Sequence, residues 1–226
     1  MQIDWLETGI GQSLLIQEQQ LVSHVLERVF GDQIVQVGNW GPPDLFLTQT
    51  RTQFSVLLGD DQSPGVSAIV APQRLPVVTD SVDAVLLPHT LELTGEPHAV
   101  LREVYRVLRP DGKLLVLGFN PGSWWGLRHS LAPHGFPPGI RRQIAARRLR
   151  DWLRLLSLNI ESVTGCYASA SAGKAGKLLR RWQWFASVYL LIATKEIIPM
   201  TIIRPRVRRR PRLVGGLVNP STRNVA

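Results

Sequence analysis

The sequence of 226 residues has one cysteine, Cys166, so no disulfide can close within the chain and no thiolate cluster can hold a metal. The five histidines are scattered, which leaves no spacing for a metal site either. A lone thiol of this kind reads as a small buried residue before it reads as a nucleophile. Long apolar runs are also missing. The stretch FASVYLLIA, residues 185–193, is about half of what a membrane span needs. The opening MQIDWLETGIGQ is acidic and has no apolar core of a secretory signal. The expectation is therefore a cytoplasmic protein with no transmembrane segment.

Several catalytic signatures are absent as well. No Gly-x-Ser-x-Gly elbow is present, which excludes the usual serine hydrolase of the α/β type. No Gly-x-Gly-x-x-Gly follows the first expected strand, which argues against a nicotinamide dehydrogenase. SAGKAGK, residues 171–177, lacks the first glycine and the closing Ser/Thr of a phosphate loop. Acidic residues are missing from Arg204 to Ala226, where seven arginines stand, so the net charge of +9 leaves 9 − 7 = +2 for the rest. This Pro- and Gly-rich segment reads as a basic disordered tail over 204–226, with an electrostatic route to nucleic acid or an anionic surface.

What remains is rich in alternating elements. At 44% hydrophobic and 19% charged residues the chain is globular in composition, and residues 1–203 suffice for one domain with a sizeable core. Leu14, Leu15, Glu18, Leu21, Val22, Val25, Leu26 and Val29 recur at helical spacing, which predicts a helix over 10–31. Strands are predicted over 33–41, 53–61, 65–76, 81–93 and 112–119, with a helix over 96–108 before the last of these. A further helix over 139–158 precedes two more strands, IESVTGCYA and ASVYLLIATKEI. Strands alternating with helices imply an α/β fold with a parallel sheet covered on both faces, and in such sheets ligands bind at the carboxyl ends of the strands.

Residues 75–121 then carry a resemblance. LPVVTDSVDAVLLPHTLEL, followed by VLREVYRVLRPDGKLLVLGFNP, resembles the second half of class I S-adenosylmethionine-dependent methyltransferases of the type 11 group. The Ser-x-Asp-x-Val strand, the Arg-Glu-x-x-Arg-Val-Leu-x-Pro helix end and the Asp-Gly-x-Leu strand agree in order. The loop FNPGSWWGLR resembles a bacterial subgroup of uncharacterised methyltransferase-like proteins. The resemblance implies a Rossmann-like doubly wound sheet of seven strands, the last antiparallel, and S-adenosylmethionine as cofactor. It implies a transferase acting on a small or lipid-like acceptor, with a lid-like insertion over 120–140.

The family's first strand ends in an acidic residue and three alternating glycines, which let the backbone approach the cofactor. Here the corresponding stretch is Gln36-Val37-Gly38-Asn39-Trp40-Gly41-Pro42, with Trp40 and Pro42 where glycines are expected. The resemblance makes Gly38, Asn39 and Gly41 cofactor-binding candidates, with Asp60 or Asp61 accepting from the ribose hydroxyls. Gln73 stands nearest the place of the family's acid beside adenine. Pro88 ends the fourth strand, and His89 beside it is either a general base of near-neutral pKa or a strand-end residue with its hydrogen bonds satisfied. Asn120, Ser123, Trp124 and Trp125 read as an aromatic lid or as a loop anchored by two indoles. The predicted 139–158 helix presents Arg141, Arg142, Arg147, Arg148, Arg150 and Arg154, a basic or simply solvated face. A second reading stays open: a methyltransferase-like fold without chemistry, contacting nucleic acid or an anionic surface through its tail and Arg-rich helix. An RNA-directed methyltransferase is a third.

Overall fold

The computed structural model describes residues 5–48, 50–132, 137–166 and 186–196. The predicted tail over 204–226 lies outside them, as does SAGKAGK. The chain runs α1 (Gly9–Leu26), β1 (Gln33–Val37), β2 (Phe54–Gly59), β3 (Ala68–Ile69), β4 (Val82–Pro88) and α2 (Thr90–Leu93). It continues through α3 (Pro97–Val107), β5 (Leu108–Phe119), α4 (Trp124–Leu131), α5 (Ala146–Leu155), β6 (Leu158–Cys166) and β7 (Val188–Lys195).

These strands form one seven-stranded sheet in the order β3-β2-β1-β4-β5-β7-β6. The pairs β1–β2, β1–β4, β2–β3 and β4–β5 are parallel, whereas β7 is antiparallel to both β5 and β6. This is the expected mixed α/β sheet. Every residue of β4 is buried, because the central strand of a sheet covered on both sides has no solvent face. One face packs Val35, Val37, Val85, Leu87 and Leu114 against α3 and α5. The other packs Ile34, Leu86, Leu115 and Leu117 against α1, Trp40 and Trp125.

The residues that carry the resemblance turn out to be staples of this sheet. Asp83 Oδ2 accepts from the amides of Asp32 and Gln33, at 2.8 and 2.9 Å, and so fixes the start of β1; its other oxygen pairs with Arg109. Arg106 donates to Glu103, to the carbonyls of Leu75 and Val77 and to Thr79 Oγ1, while Glu103 accepts from the Leu75 amide. Together they pin the segment before β4 onto α3.

Several boundaries differ from expectation. α1 ends at Leu26 rather than Gly31, and β3 has two residues rather than twelve, since Pro72 and the Ser63–Gly65 turn flank it. The predicted strand over 81–93 breaks at His89, whose φ of 55° no strand accommodates, and α2 follows. The predicted helix over 139–158 begins only at Ala146. Residues 140–145 instead belong to no helix or strand and are tied to α2, where the Arg141 amide donates to the Glu92 carbonyl at 3.1 Å.

Candidate functional site

β1 and β2 lie side by side and parallel, so the turns that leave their carboxyl ends face each other. Between them is a cavity of about 500 Å³. Asn39, Trp40 and Gly41 line it from the turn after β1, and Asp60 and Asp61 from the turn after β2. Leu6, Gln12 and Leu15 close it from the N-terminal side. Both carboxylates are exposed at the rim, and Ser63 Oγ donates to Asp61 Oδ1 at 2.8 Å. The volume falls in the usual range of small-ligand sites, roughly 300–1,000 Å³.

Of the residues singled out from sequence, Asn39, Gly41, Asp60 and Asp61 therefore meet at one cavity. Gly38, Gln73 and Pro88 are not among its lining residues. Gly38 has φ of 102°, its amide donates to the Leu58 carbonyl, and a Cβ there would run into Thr90 Oγ1. Glycine at 38 is thus required by the backbone and by Thr90, whose hydroxyl bonds the Val37 carbonyl. Gln73 Nε2 donates to Thr94 Oγ1 at 2.9 Å. Pro88 is the buried last residue of β4.

His89 lies behind the cavity wall and is fully buried. Its Nδ1 stands 2.9 Å from Glu92 Oε2 and its Nε2 2.9 Å from Glu18 Oε1. Burial alone would lower the imidazole pKa, but the charges and hydrogen bonds of Glu18 and Glu92 push it up to about 9. The imidazole also lies between two rings, with centroids 4.4 Å from Trp40 and 4.1 Å from Phe119. With both nitrogens engaged and no solvent contact, His89 has no free lone pair for a substrate proton. Glu92 is buried too, and burial holds its carboxyl above the ordinary range against the pull of His89 and two backbone amides. Those amides are Phe119 N at the end of β5 and Ile144 N on the 140–145 segment.

Trp40 joins this network to the cavity. Its Nε1 donates to Glu18 Oε2 at 2.9 Å, and the indole is 1% exposed. The chain thus uses a glycine position to wall the cavity with a fixed ring. Sequence reasoning placed Glu18 on the helix stripe without a role and read Glu92 as strand. The legible signals were a carboxylate on an apolar face, and the His89-x-x-Glu92 spacing, which is one helical turn. Gln36, in the family's acidic position, donates from Nε2 to the Gly38 carbonyl, while its buried Oε1 has no partner among the described residues.

Comparison with known proteins now decides the fold family. Residues 56–116 match the family model described as a methyltransferase domain, type 11. A solved S-adenosylmethionine-dependent methyltransferase of Thermotoga maritima superposes with a TM-score of 0.67 at 16% identity, over 85% of this chain and 93% of that one. A second, from Archaeoglobus fulgidus, gives 0.58 at 13% identity, over 78% and 94%. This chain has the class I methyltransferase fold, with type 11 methyltransferase sequence at its centre. Among curated proteins it is 36% identical over 148 residues to the uncharacterized protein YafS of Escherichia coli, over 61% of each chain. It is 34% identical over 53 residues to the ubiquinone/menaquinone biosynthesis C-methyltransferase UbiE of Rubrivivax gelatinosus, over 24% of this chain and 21% of that one. The chain thus spans less than two thirds of the length of either relative.

The family implies S-adenosylmethionine as cofactor, and the residues present fit that group. Two rim carboxylates suit a ribose diol, which has donors and no charge. The orphan Gln36 Oε1 is an acceptor left beside the turn after β1.

Proposed function

We propose that this protein is an S-adenosylmethionine-dependent methyltransferase for a small or lipid-like acceptor. The observation that carries the reading is the cavity at the carboxyl ends of β1 and β2, where the fold family keeps its cofactor and where Asp60 and Asp61 stand together. In this reading Asp60 or Asp61 accepts from the ribose hydroxyls, the backbone at Asn39 and Gly41 lies against the ligand, and Trp40 forms the wall toward the core. The bound cofactor supplies a methyl group on a sulfonium, which carries its own leaving group. The protein's part is then to orient the acceptor and exclude water, which can account for much of the rate. His89 takes no part in proton transfer, because its nitrogens are committed to Glu18 and Glu92. The short match to UbiE, whose name places it in ubiquinone/menaquinone biosynthesis, supports the lipid-like end of the acceptor range.

Isothermal titration with S-adenosylmethionine and S-adenosylhomocysteine tests the proposal. Both should bind with Kd below a millimolar, and Asp60→Asn or Asp61→Asn should weaken both about tenfold, the worth of one charge-assisted hydrogen bond. No binding by the unaltered protein, or equal binding by both variants, would remove the reading.

A further inference from the structure

α4 begins after a four-residue loop, 120–123, that leaves β5, and turns two faces in opposite directions. Ser123 caps it, its Oγ accepting from the Gly126 amide at 3.2 Å. The inner face is Trp125 and Gly126. Trp125 stacks on Phe119 with centroids 5.9 Å apart and meets Trp5 edge-on at 5.7 Å. A Cβ at Gly126 would strike the Pro121 backbone, so the helix sits as close to the loop as a helix can. The outer face is apolar as well: Trp124 is 73% exposed, Leu127 49% and Leu131 75%. Their spacing of three and then four residues puts all three on one stripe. Such a stripe on a helix this short normally faces a core; here it faces outward.

The stretch of chain that carries the stripe has charge of one sign, although the exposed Glu7, Asp60 and Asp61 line the cavity and the exposed Glu96 follows Gly95. No Asp or Glu occurs from Gly112 through Arg150. Arg128 on α4 is exposed, and so are Arg141 and Arg142 on the 140–145 segment. Arg142 donates to the Gly95 carbonyl at 2.7 Å, and the Arg141 amide bonds Glu92, which places this segment at the carboxyl edge of the sheet. α4 leaves β5 at that same edge, and Trp5 links it to Leu6, which lines the cavity. The apolar stripe, the arginines and the cavity therefore share one side of the molecule.

We propose that α4 is an interfacial helix that docks on an anionic phospholipid surface, Trp124, Leu127 and Leu131 entering the headgroup boundary while Arg128, Arg141 and Arg142 meet the phosphates. An outward tryptophan beside leucines, on a stretch of chain with arginines and no acid, is what such a boundary selects. A second copy of the chain fits less well. Three side chains expose on the order of a few hundred Å², whereas stable dimers bury about 1,200–2,000 Å². The proposal does not rest on methyl transfer, since lipid binding is read without cofactor or acceptor.

The test is sedimentation of the full chain with vesicles of phosphatidylcholine alone and of phosphatidylcholine mixed with phosphatidylglycerol. The protein should pellet with the anionic vesicles, and less so as salt rises. The double variant Trp124→Ser/Leu131→Ser should partition about tenfold less or weaker still, at an unchanged melting temperature. A second readout needs no loss of fold: lipids brominated on the acyl chains should quench tryptophan fluorescence, and Trp124→Phe should reduce that quenching. A protein that stays in the supernatant with anionic vesicles overturns the proposal. So does a double variant that pellets as well as the unaltered chain, which would move binding to another surface. A double variant that changes only the oligomeric state would assign the stripe to a second copy.

Discussion

Replacing His89 by asparagine removes the imidazole that Glu18 and Glu92 flank, and leaves two buried carboxyl groups without it. Breaking a buried pair on one side typically costs about 3–5 kcal/mol, and His89→Asn should lower unfolding free energy in urea by that order. The pH dependence has a definite sign. The folded pKa of about 9 lies above the ordinary value of 6.5, so the contribution of His89 is fully present below about 6.5 and fades as pH rises through 9. Glu92, raised by burial, has the same sign, its contribution fading above the ordinary carboxylate range. Denaturation curves from pH 6 to pH 10 should thus show a decline in stability that His89→Asn flattens. An unaltered slope in the variant would mean that the imidazole is neutral in the fold. The sequence offered His89 both as a base and as a satisfied strand-end residue. It could not decide between them, because the partner Glu18 lies 71 positions away and no local pattern joins the two.

At the scale of elements, the legible parts are those whose residues make their own case locally. α3 reads from its apolar stripe, β4 from the apolar run that follows Asp83, and the order of strands from their alternation with helices. The segment 139–145 did not read. Its arginines and Ile140 and Ile144 continue the periodicity of α5, so a helix was expected from 139 onward. Tertiary bonds override that local preference. Glu92 takes the amides of Arg141 and Ile144, one on its carbonyl and one on its carboxylate, and Tyr189 Oη donates to the Ile144 carbonyl at 2.7 Å. The segment is thus tied from α2 on one side and β7 on the other. Tyr189→Phe deletes the second tie while keeping the ring, and leaves the buried Ile144 carbonyl without that donor. It should lower stability by about 1–3 kcal/mol. Amide exchange should quicken over 139–145 more than in β5, and uniform quickening would mean that the segment is held by other contacts. The candidate cavity was legible in the same partial way. Asp60 and Asp61 follow a recognisable strand, whereas the role of Trp40 depends on α1 folding back over the turn.

For the molecule as a whole, the cavity and the buried network make separable claims on stability. A ligand that binds the folded state alone stabilises it by mass action, roughly 2.7 kcal/mol at a hundredfold excess over its Kd. S-adenosylmethionine should therefore raise the melting temperature of the unaltered chain in proportion to the logarithm of its concentration. Asp60→Asn and Asp61→Asn sit on the exposed rim, so they should leave the ligand-free melting temperature nearly unchanged, and the variant of whichever carboxylate holds the ribose should lose about half of the shift at that excess. His89→Asn should do the reverse, lowering the ligand-free melting temperature while keeping much of the shift, since His89 is not among the cavity-lining residues. Trp40 belongs to both sets, walling the cavity and bonding Glu18, so Trp40→Phe should lower the melting temperature and the shift together. Differential scanning fluorimetry on these four variants, with and without ligand, reads both quantities at once. If the rim variants and His89→Asn changed the same quantity, cavity and network would be one cooperative unit, and a separate ligand site at the ends of β1 and β2 would have to be given up.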